Sequence, residues 1–235
     1  MLNVYLHGPQ WFLGLDAALE GLAAIIAFLV TIVSYKAFRA TSERRTGYFT
    51  LSMGLLTLSF LSRSITDTLL REIIVQLPEK LEALVFLGGY VAHIMLAFVA
   101  YIILVCITHK IHDKRIAALL FITLIPSLLL SGSYYRSFYT LSFIFLAFIA
   151  VTYYQNWRQV KSRSSALVME AFFLLTAAQA QFLIQGFNVL PGDAWNALFV
   201  TAHVTQALGY LFLLSALIKT TLVSTNETRK NRHHL

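Results

Sequence analysis

Apolar residues gather in seven long stretches, approximately 11–35, 48–70, 83–108, 116–132, 138–155, 165–188 and 196–222, with short polar turns between them. A helix crosses about 30 Å of hydrocarbon with about 20 mostly apolar residues. The pattern therefore predicts an all-α integral membrane protein. Residues 1–235 form one seven-helix transmembrane domain, of which 223–235 are a short basic tail. Polar positions inside the stretches are unevenly spread. Predicted helices 4 and 5 are strongly apolar, whereas helices 1, 2, 3, 6 and 7 carry ionisable and amide side chains.

Those polar positions follow helical spacing. Asp16 and Glu20 stand four apart on helix 1, on a face continued by Ala23, Ala24, Ala27, Thr31 and Ser34. Small residues of this kind let membrane helices approach closely. Helix 2 repeats the spacing with Ser59, Arg63 and Asp67; helix 3 offers His93 beside Gly89, Ala97 and Ala100. Helix 6 offers Gln181, Gln185 and Asn188, with Gln179 on another side, and helix 7 offers His203, Gln206 and Tyr210. At 1.5 Å rise per residue, Asp16, Glu20, Arg63, His93, Gln181 and His203 all fall on the order of 5–15 Å from one surface. Ionisable residues at such depth are costly and face a partner or water. Their shared depth predicts one outward-facing polar cavity. The acids and Arg63 also suit an ion-pair lock between helices 1 and 2.

Charge fixes the expected orientation. With helix 1 starting outside, the inner loops and tail carry Lys36, Arg39, Arg44, Arg45, Lys110, Lys114, Arg115, Arg158, Lys161, Arg163, Lys219, Arg229, Lys230 and Arg232. The outer connections hold Arg71, Lys80 and Arg136. Short-loop Lys/Arg bias sets topology, so the N-terminus is expected outside and the C-terminus in the cytoplasm of a multi-pass cell-membrane protein. Trp195, Tyr134 and Tyr135 at one edge, and Tyr153, Tyr154 and Trp157 at the other, match interfacial belts.

Composition narrows the classes. The chain is 58% hydrophobic and 12% charged, against about a quarter charged in soluble domains. Its net charge of +7 is what basic inner loops produce, so no nucleic-acid partner is implied. The first ten residues lack a basic n-region, and the apolar stretch after them is long and holds Asp16 and Glu20, so no cleaved signal peptide is expected. The single cysteine, Cys106, excludes an intrachain disulfide and reads as apolar packing. The outer connection 71–82 (REIIVQLPEKLE) reads as a short surface helix broken at Pro78, and Pro126 predicts a kink or an end in helix 4. No inverted repeat is apparent.

Several functions suit this arrangement. The topology, with the basic turn FRATSERR after helix 1, resembles the seven-helix receptor modules at the front of some prokaryotic sensor kinases. That resemblance implies a sensor binding a polar ligand, or reading pH, through Asp16, Glu20, Arg63, Asp67, His93, Gln181, His203 and Gln206. A separate cytoplasmic partner would then engage the basic inner loops. A haem-b protein would use His93 and His203 as axial ligands, with Arg63 on a propionate. The seven-helix hydrolases resembling alkaline ceramidases and adiponectin receptors bind zinc through an HxxxH in the last helix. Here that helix reads HVTQA, with Ala207 at the second position, leaving His93, His203 and Asp16 or Glu20 as ligands. A retinal protein is disfavoured because the helix 7 lysine, Lys219, lies at the membrane edge. A proton or solute transporter would use the intramembrane acids, although Glu170 is the one acid in the inner half.

Overall fold

The structure, a computed structural model, describes residues 14–73, 79–111, 113–131, 133–187 and 190–232. Among these all regular secondary structure is helical. Seven helices follow in order: α1 (Leu15–Thr41), α2 (Arg44–Ile73), α3 (Glu79–Thr108), α4 (Lys114–Leu129), α5 (Tyr134–Val160), α6 (Arg163–Gly186) and α7 (Gly192–Arg232). Each overlies one predicted apolar stretch. Residues 11–13 of the first stretch, Pro78 and Asn188 lie outside the described residues. The predicted surface helix at 71–82 is not a separate element where described: 71–73 belong to α2 and 79–82 to α3.

Five segments are long and apolar enough to cross a membrane: Leu15–Thr41, Leu87–Thr108, Tyr135–Val160, Arg163–Gly186 and Gly192–Lys219. The other two helices differ from these for separate reasons. α4 has 16 residues, a length of about 24 Å, and Pro126 lies three residues before its end. α2 has 30 residues but is rich in serine, threonine and charge.

The polar content of α2 is spent on its neighbours. Ser52 Oγ donates to the Ala100 carbonyl, Ser59 Oγ to the His93 carbonyl and Ser62 Oγ to the Gly89 carbonyl, at 2.9, 2.9 and 3.0 Å. These three bonds run along the α2–α3 seam. On the opposite side Ser64 Oγ donates to the Ala17 carbonyl at 2.9 Å and Thr50 Oγ1 donates to Ser34 Oγ at 3.1 Å. Interhelical bonds of this kind contribute about 0.6 kcal/mol each on average in a membrane setting. α2 is thus held from both flanks by hydrogen bonds.

Packing closes six helices into a ring in the order α1, α2, α3, α5, α6, α7 and back to α1. α4 stands outside it, resting lightly on α3 and α5. Inside the ring lie Ala23, Ala24, Ala27, Val30, Leu56, Phe98, Phe172 and Leu213. Small residues set the closest seams. A Cβ on Gly89 would overlap the Thr66 side chain, and one on Gly209 would come within 2.8 Å of Leu175 and 3.2 Å of the Ala171 carbonyl.

The outer surface is apolar. Ile25, Phe28, Leu58, Ile122 and Phe148 are 58, 52, 54, 70 and 59% exposed. Glu20, Ser59, Asp67, His93, His203 and Gln206 are buried instead. Water as solvent disfavours a contiguous apolar exterior, whereas hydrocarbon tolerates it and penalises exposed charge. The arrangement fits a membrane protein.

Tight connections bring successive helices back antiparallel. Ser42 and Lys161 take left-handed φ values of 54° and 50°, ending α1 and α5 with bonds to the Phe38 and Trp157 carbonyls. Asp113 and Ser162 then cap the starts of α4 and α6 by accepting the N–H groups of Arg115 and Ser165. The result is a bundle with one end where α1, α3, α5 and α7 begin, called the near end below, and a far end rich in Lys and Arg.

Candidate functional site: a buried charge cluster at the near end

Glu20 lies one and a half turns into α1, on the face that also buries Ala17, Ala24 and Ala27. Its neighbour across the α1–α2 seam is Arg63, whose Nη1 stands 3.2 Å from Glu20 Oε1. One turn along α2, Asp67 Oδ2 lies 3.8 Å from Arg63 Nε. From α7, the other neighbour of α1, His203 brings its Nε2 to 3.5 Å from the same Glu20 oxygen. Three helices that are neighbours in the ring thus meet through one carboxylate. The Glu20 and His203 side chains are 1 and 2% exposed, and Arg63 is 12% exposed.

A second layer surrounds these four. Tyr90 of α3 donates its hydroxyl to Asp67 Oδ1, and Arg63 Nη1 donates to Tyr139 Oη of α5 at 3.5 Å. The Arg63 guanidinium lies 6.0 Å from the Phe182 ring centroid of α6, and Tyr139 stacks on that ring at 5.2 Å. All six ring helices therefore contribute. Phe182 also meets His203 edge-on at 5.0 Å, which excludes bulk water from the imidazole's flank.

The two histidines have assigned tautomers. His203 Nδ1 is 2.9 Å from the Phe199 carbonyl, and a carbonyl oxygen only accepts, so Nδ1 carries a proton. His93 Nδ1 lies 3.1 Å from the Ser59 carbonyl and 2.8 Å from Ser59 Oγ. The Ser59 hydroxyl is already donated to the His93 carbonyl, so His93 Nδ1 is a donor as well. Each ring is thus held by α-helical backbone through its Nδ1. His93 is further boxed between Phe60 and Phe138, at 6.3 and 5.8 Å.

The eight residues predicted from sequence are distributed unevenly. Glu20, Arg63, Asp67 and His203 form the direct cluster, with His93 nearby on α3, within electrostatic reach of Glu20 and Arg63. Asp16 acts at the start of α1, where its Oδ1 accepts from the Gly14 and Ala17 N–H groups at 3.0 and 2.7 Å. Gln206 is buried, and Gln181 is half-buried with its Oε1 enclosed and without a hydrogen-bond donor. Neither amide joins the ion pairs. Sequence reasoning missed Tyr90 and Tyr139, which contact Asp67 and Arg63, and placed Ser59 on the polar stripe of helix 2 without assigning it to the site, where it contacts His93. It also set α5 aside as apolar, whereas Tyr139 places α5 in the site. Ser59 was visible through its spacing of four from Arg63; no spacing or charge signal in the sequence marks Tyr90 or Tyr139.

The cofactor alternatives meet specific obstacles. Among the described residues no group of three His, Cys, Asp or Glu side chains is placed to hold a metal ion, so the zinc set of His93, His203 and Asp16 or Glu20 does not assemble. A haem iron on His203 Nε2 would have to displace Glu20 Oε1, which occupies that direction at 3.5 Å.

Tyr90→Phe removes the donor to Asp67 while keeping the ring, which packs on Tyr135 at 5.8 Å. It is expected to lower stability by about 1–3 kcal/mol, the cost of an unsatisfied buried acceptor, in reversible unfolding in detergent; an unchanged midpoint would show that Asp67 is held without Tyr90. No known protein family, no curated protein and no solved structure matches this chain.

Proposed function

We propose that this chain is a small sensor or receptor-like protein of the cell membrane, spanning it seven times with the N-terminus outside and the C-terminus in the cytoplasm. The orientation rests on the fourteen basic residues of the far-end loops and tail against three at the other end. The near end, with its charge cluster, then faces outward. The function rests on one observation: Glu20 of α1 is the common partner of Arg63 on α2 and His203 on α7. A polar ligand or a change in charge that alters this carboxylate changes the contact of three helices together.

α7 is the natural output. It runs unbroken for 41 residues from Gly192 to Arg232, a rod of about 62 Å. His203 lies near its outer end and Lys219 at its inner edge. A shift at the cluster is carried along this rod toward the basic inner surface, where a separate cytoplasmic protein would read it, as the resemblance to sensor-kinase receptor modules implies. Haem and transport are weaker readings because the cluster fills its own centre with ion pairs.

Two measurements test this. Lys161→Cys and Asp193→Cys, each in a Cys106→Ala background, are expected to react with an impermeant thiol reagent from the inside and the outside of intact cells, respectively; the reverse pattern inverts the topology. Spin labels at 163 and 219 are expected to report a changed α6–α7 separation in Glu20→Gln relative to wild type in nanodiscs. Identical distance distributions would leave the cluster as a static lock.

A further inference from the structure

One acid of the chain lies outside the near-end cluster and faces outward from the bundle. Glu170 stands on α6, a helix long and apolar enough to cross a membrane, and its side chain is exposed. Among the described residues none is in hydrogen-bond or ion-pair contact with it. Its depth follows from the packing of α6 on α7. Ala171, the next residue, lies close to Gly209, since a Cβ there would come within 3.2 Å of the Ala171 carbonyl. Along α7 from Gly209, Lys219 is about 15 Å toward the far end and Trp195 about 21 Å toward the near end. Glu170 therefore lies nearer the middle of this apolar length than either edge of it.

The position is unusual within this molecule. The other exposed charges on the five membrane-length segments are Lys36, Arg39, Arg136, Arg158, Arg163 and Asp193, among the described residues. Each stays within a turn and a half of an end of its helix, where a side chain reaches the membrane interface. Glu170 is nearly two turns into α6 and well inside the length set by Trp195 and Lys219. An acid at such depth is costly in hydrocarbon and is kept where a partner meets it. Lipid chains alone would leave its carboxyl group without a donor.

We propose that the Glu170 face of α6 docks a transmembrane helix of a second membrane protein, one that brings a lysine or arginine to the level of Glu170. The face suits a helix. Glu170, Phe173, Ala177 and Ile184 are all exposed and recur at intervals of three, four and seven, the positions that a neighbour crossing at a small angle touches. Ala177 lets its backbone come close. Phe173 meets Tyr154 edge-on at 6.5 Å, so this aromatic pair walls the α5 side. Charge selects the occupant. A second copy paired about a two-fold axis would set Glu170 against Glu170, and the described outer surface offers no cation at this depth. Arg158 is drawn over the Tyr154 ring instead, at 6.0 Å. A basic side chain on another protein supplies both the opposite charge and the donors that the carboxyl group lacks. The surface is separate from Glu20 and its partners, so the proposal does not depend on the sensor reading.

The test uses designed helices as the partner. One probe is a synthetic span of about 20 leucines with a single lysine near its middle; a second has leucine throughout, and a third has the lysine at its end. The full chain carries a fluorophore at Lys161→Cys in the Cys106→Ala background and is titrated with acceptor-labelled probe in phosphatidylcholine vesicles. By energy transfer, the mid-depth lysine probe is expected to associate about 5–30-fold more tightly than the other two, the effect of one polar contact between model membrane helices. Glu170→Leu should abolish that advantage, with retained helicity showing that the variant is folded. Glu170→Lys should transfer it to a probe carrying glutamate in place of lysine. If Glu170→Leu does not fold, Glu170→Gln, which keeps the shape and removes the charge, takes its place and should reduce the advantage. Equal binding of the three probes, or an advantage that survives loss of the Glu170 carboxyl group, overturns the proposal. Energy transfer between labelled copies of the chain that is lost in Glu170→Leu makes a second copy the occupant, and also overturns it.

Discussion

Arg63→Met is expected to destabilise the folded protein by about 3–5 kcal/mol, the cost of leaving a buried charge without its partner. The substitution keeps an unbranched chain of similar length, so lost volume contributes little. What is lost is the one cation between Glu20 at 3.2 Å and Asp67 at 3.8 Å. Two carboxylates then remain in a core flanked by Phe182 and Tyr139. Combining Arg63→Met with Glu20→Gln and Asp67→Asn should recover a large part of the deficit, because the triple variant buries no uncompensated charge. Unfolding midpoints of the single, double and triple variants in one detergent measure this directly. Equal stability of Arg63→Met and wild type would mean that the carboxylates are already neutral without Arg63.

Gly89→Ala ranks second. The added methyl would overlap the side chain of Thr66 across the α2–α3 seam. Overpacking of this kind costs about 1–3 kcal/mol where the helices move apart to relieve it. Separation has a further consequence here. Ser62 donates to the Gly89 carbonyl on this seam, and Tyr90, the next residue along, donates to Asp67. Pushing α3 away therefore weakens the support of the charge cluster as well as the packing. Gly89→Ala should lower stability, and adding Thr66→Ala should restore part of it. A Gly89→Ala variant as stable as wild type would show that the seam yields without cost.

The predicted helical stretches and the described helices coincide closely because each helix is encoded locally, by runs of apolar residues ended by short polar turns. The differences lie at the ends. The stretch predicted at 138–155 extends to Tyr134–Val160, and the one at 196–222 continues as helical backbone to Arg232. Polar residues such as Asn156 and Arg158 continue a helix as readily as apolar ones, so hydropathy marks the part suited to hydrocarbon and not the helix itself. Pro126 agrees with its expected effect, since α4 ends within a turn of it.

The sequence by itself determined the helical class, the seven apolar stretches and the uneven placement of Lys and Arg, since all three are written in local composition. It also singled out Glu20, Arg63, His93 and His203 by their depth, and Asp67 by its spacing of four from Arg63. Only the tertiary structure decided that Glu20 is shared by Arg63 and His203, that α5 enters the ring through Tyr139 while α4 stays outside, and that Asp16 accepts backbone N–H groups at the start of α1. Those facts depend on which seams close. That is set by side chains such as Gly89 against Thr66 and Gly209 against Leu175, which lie far apart in the chain and carry no periodic signal of whom they will meet.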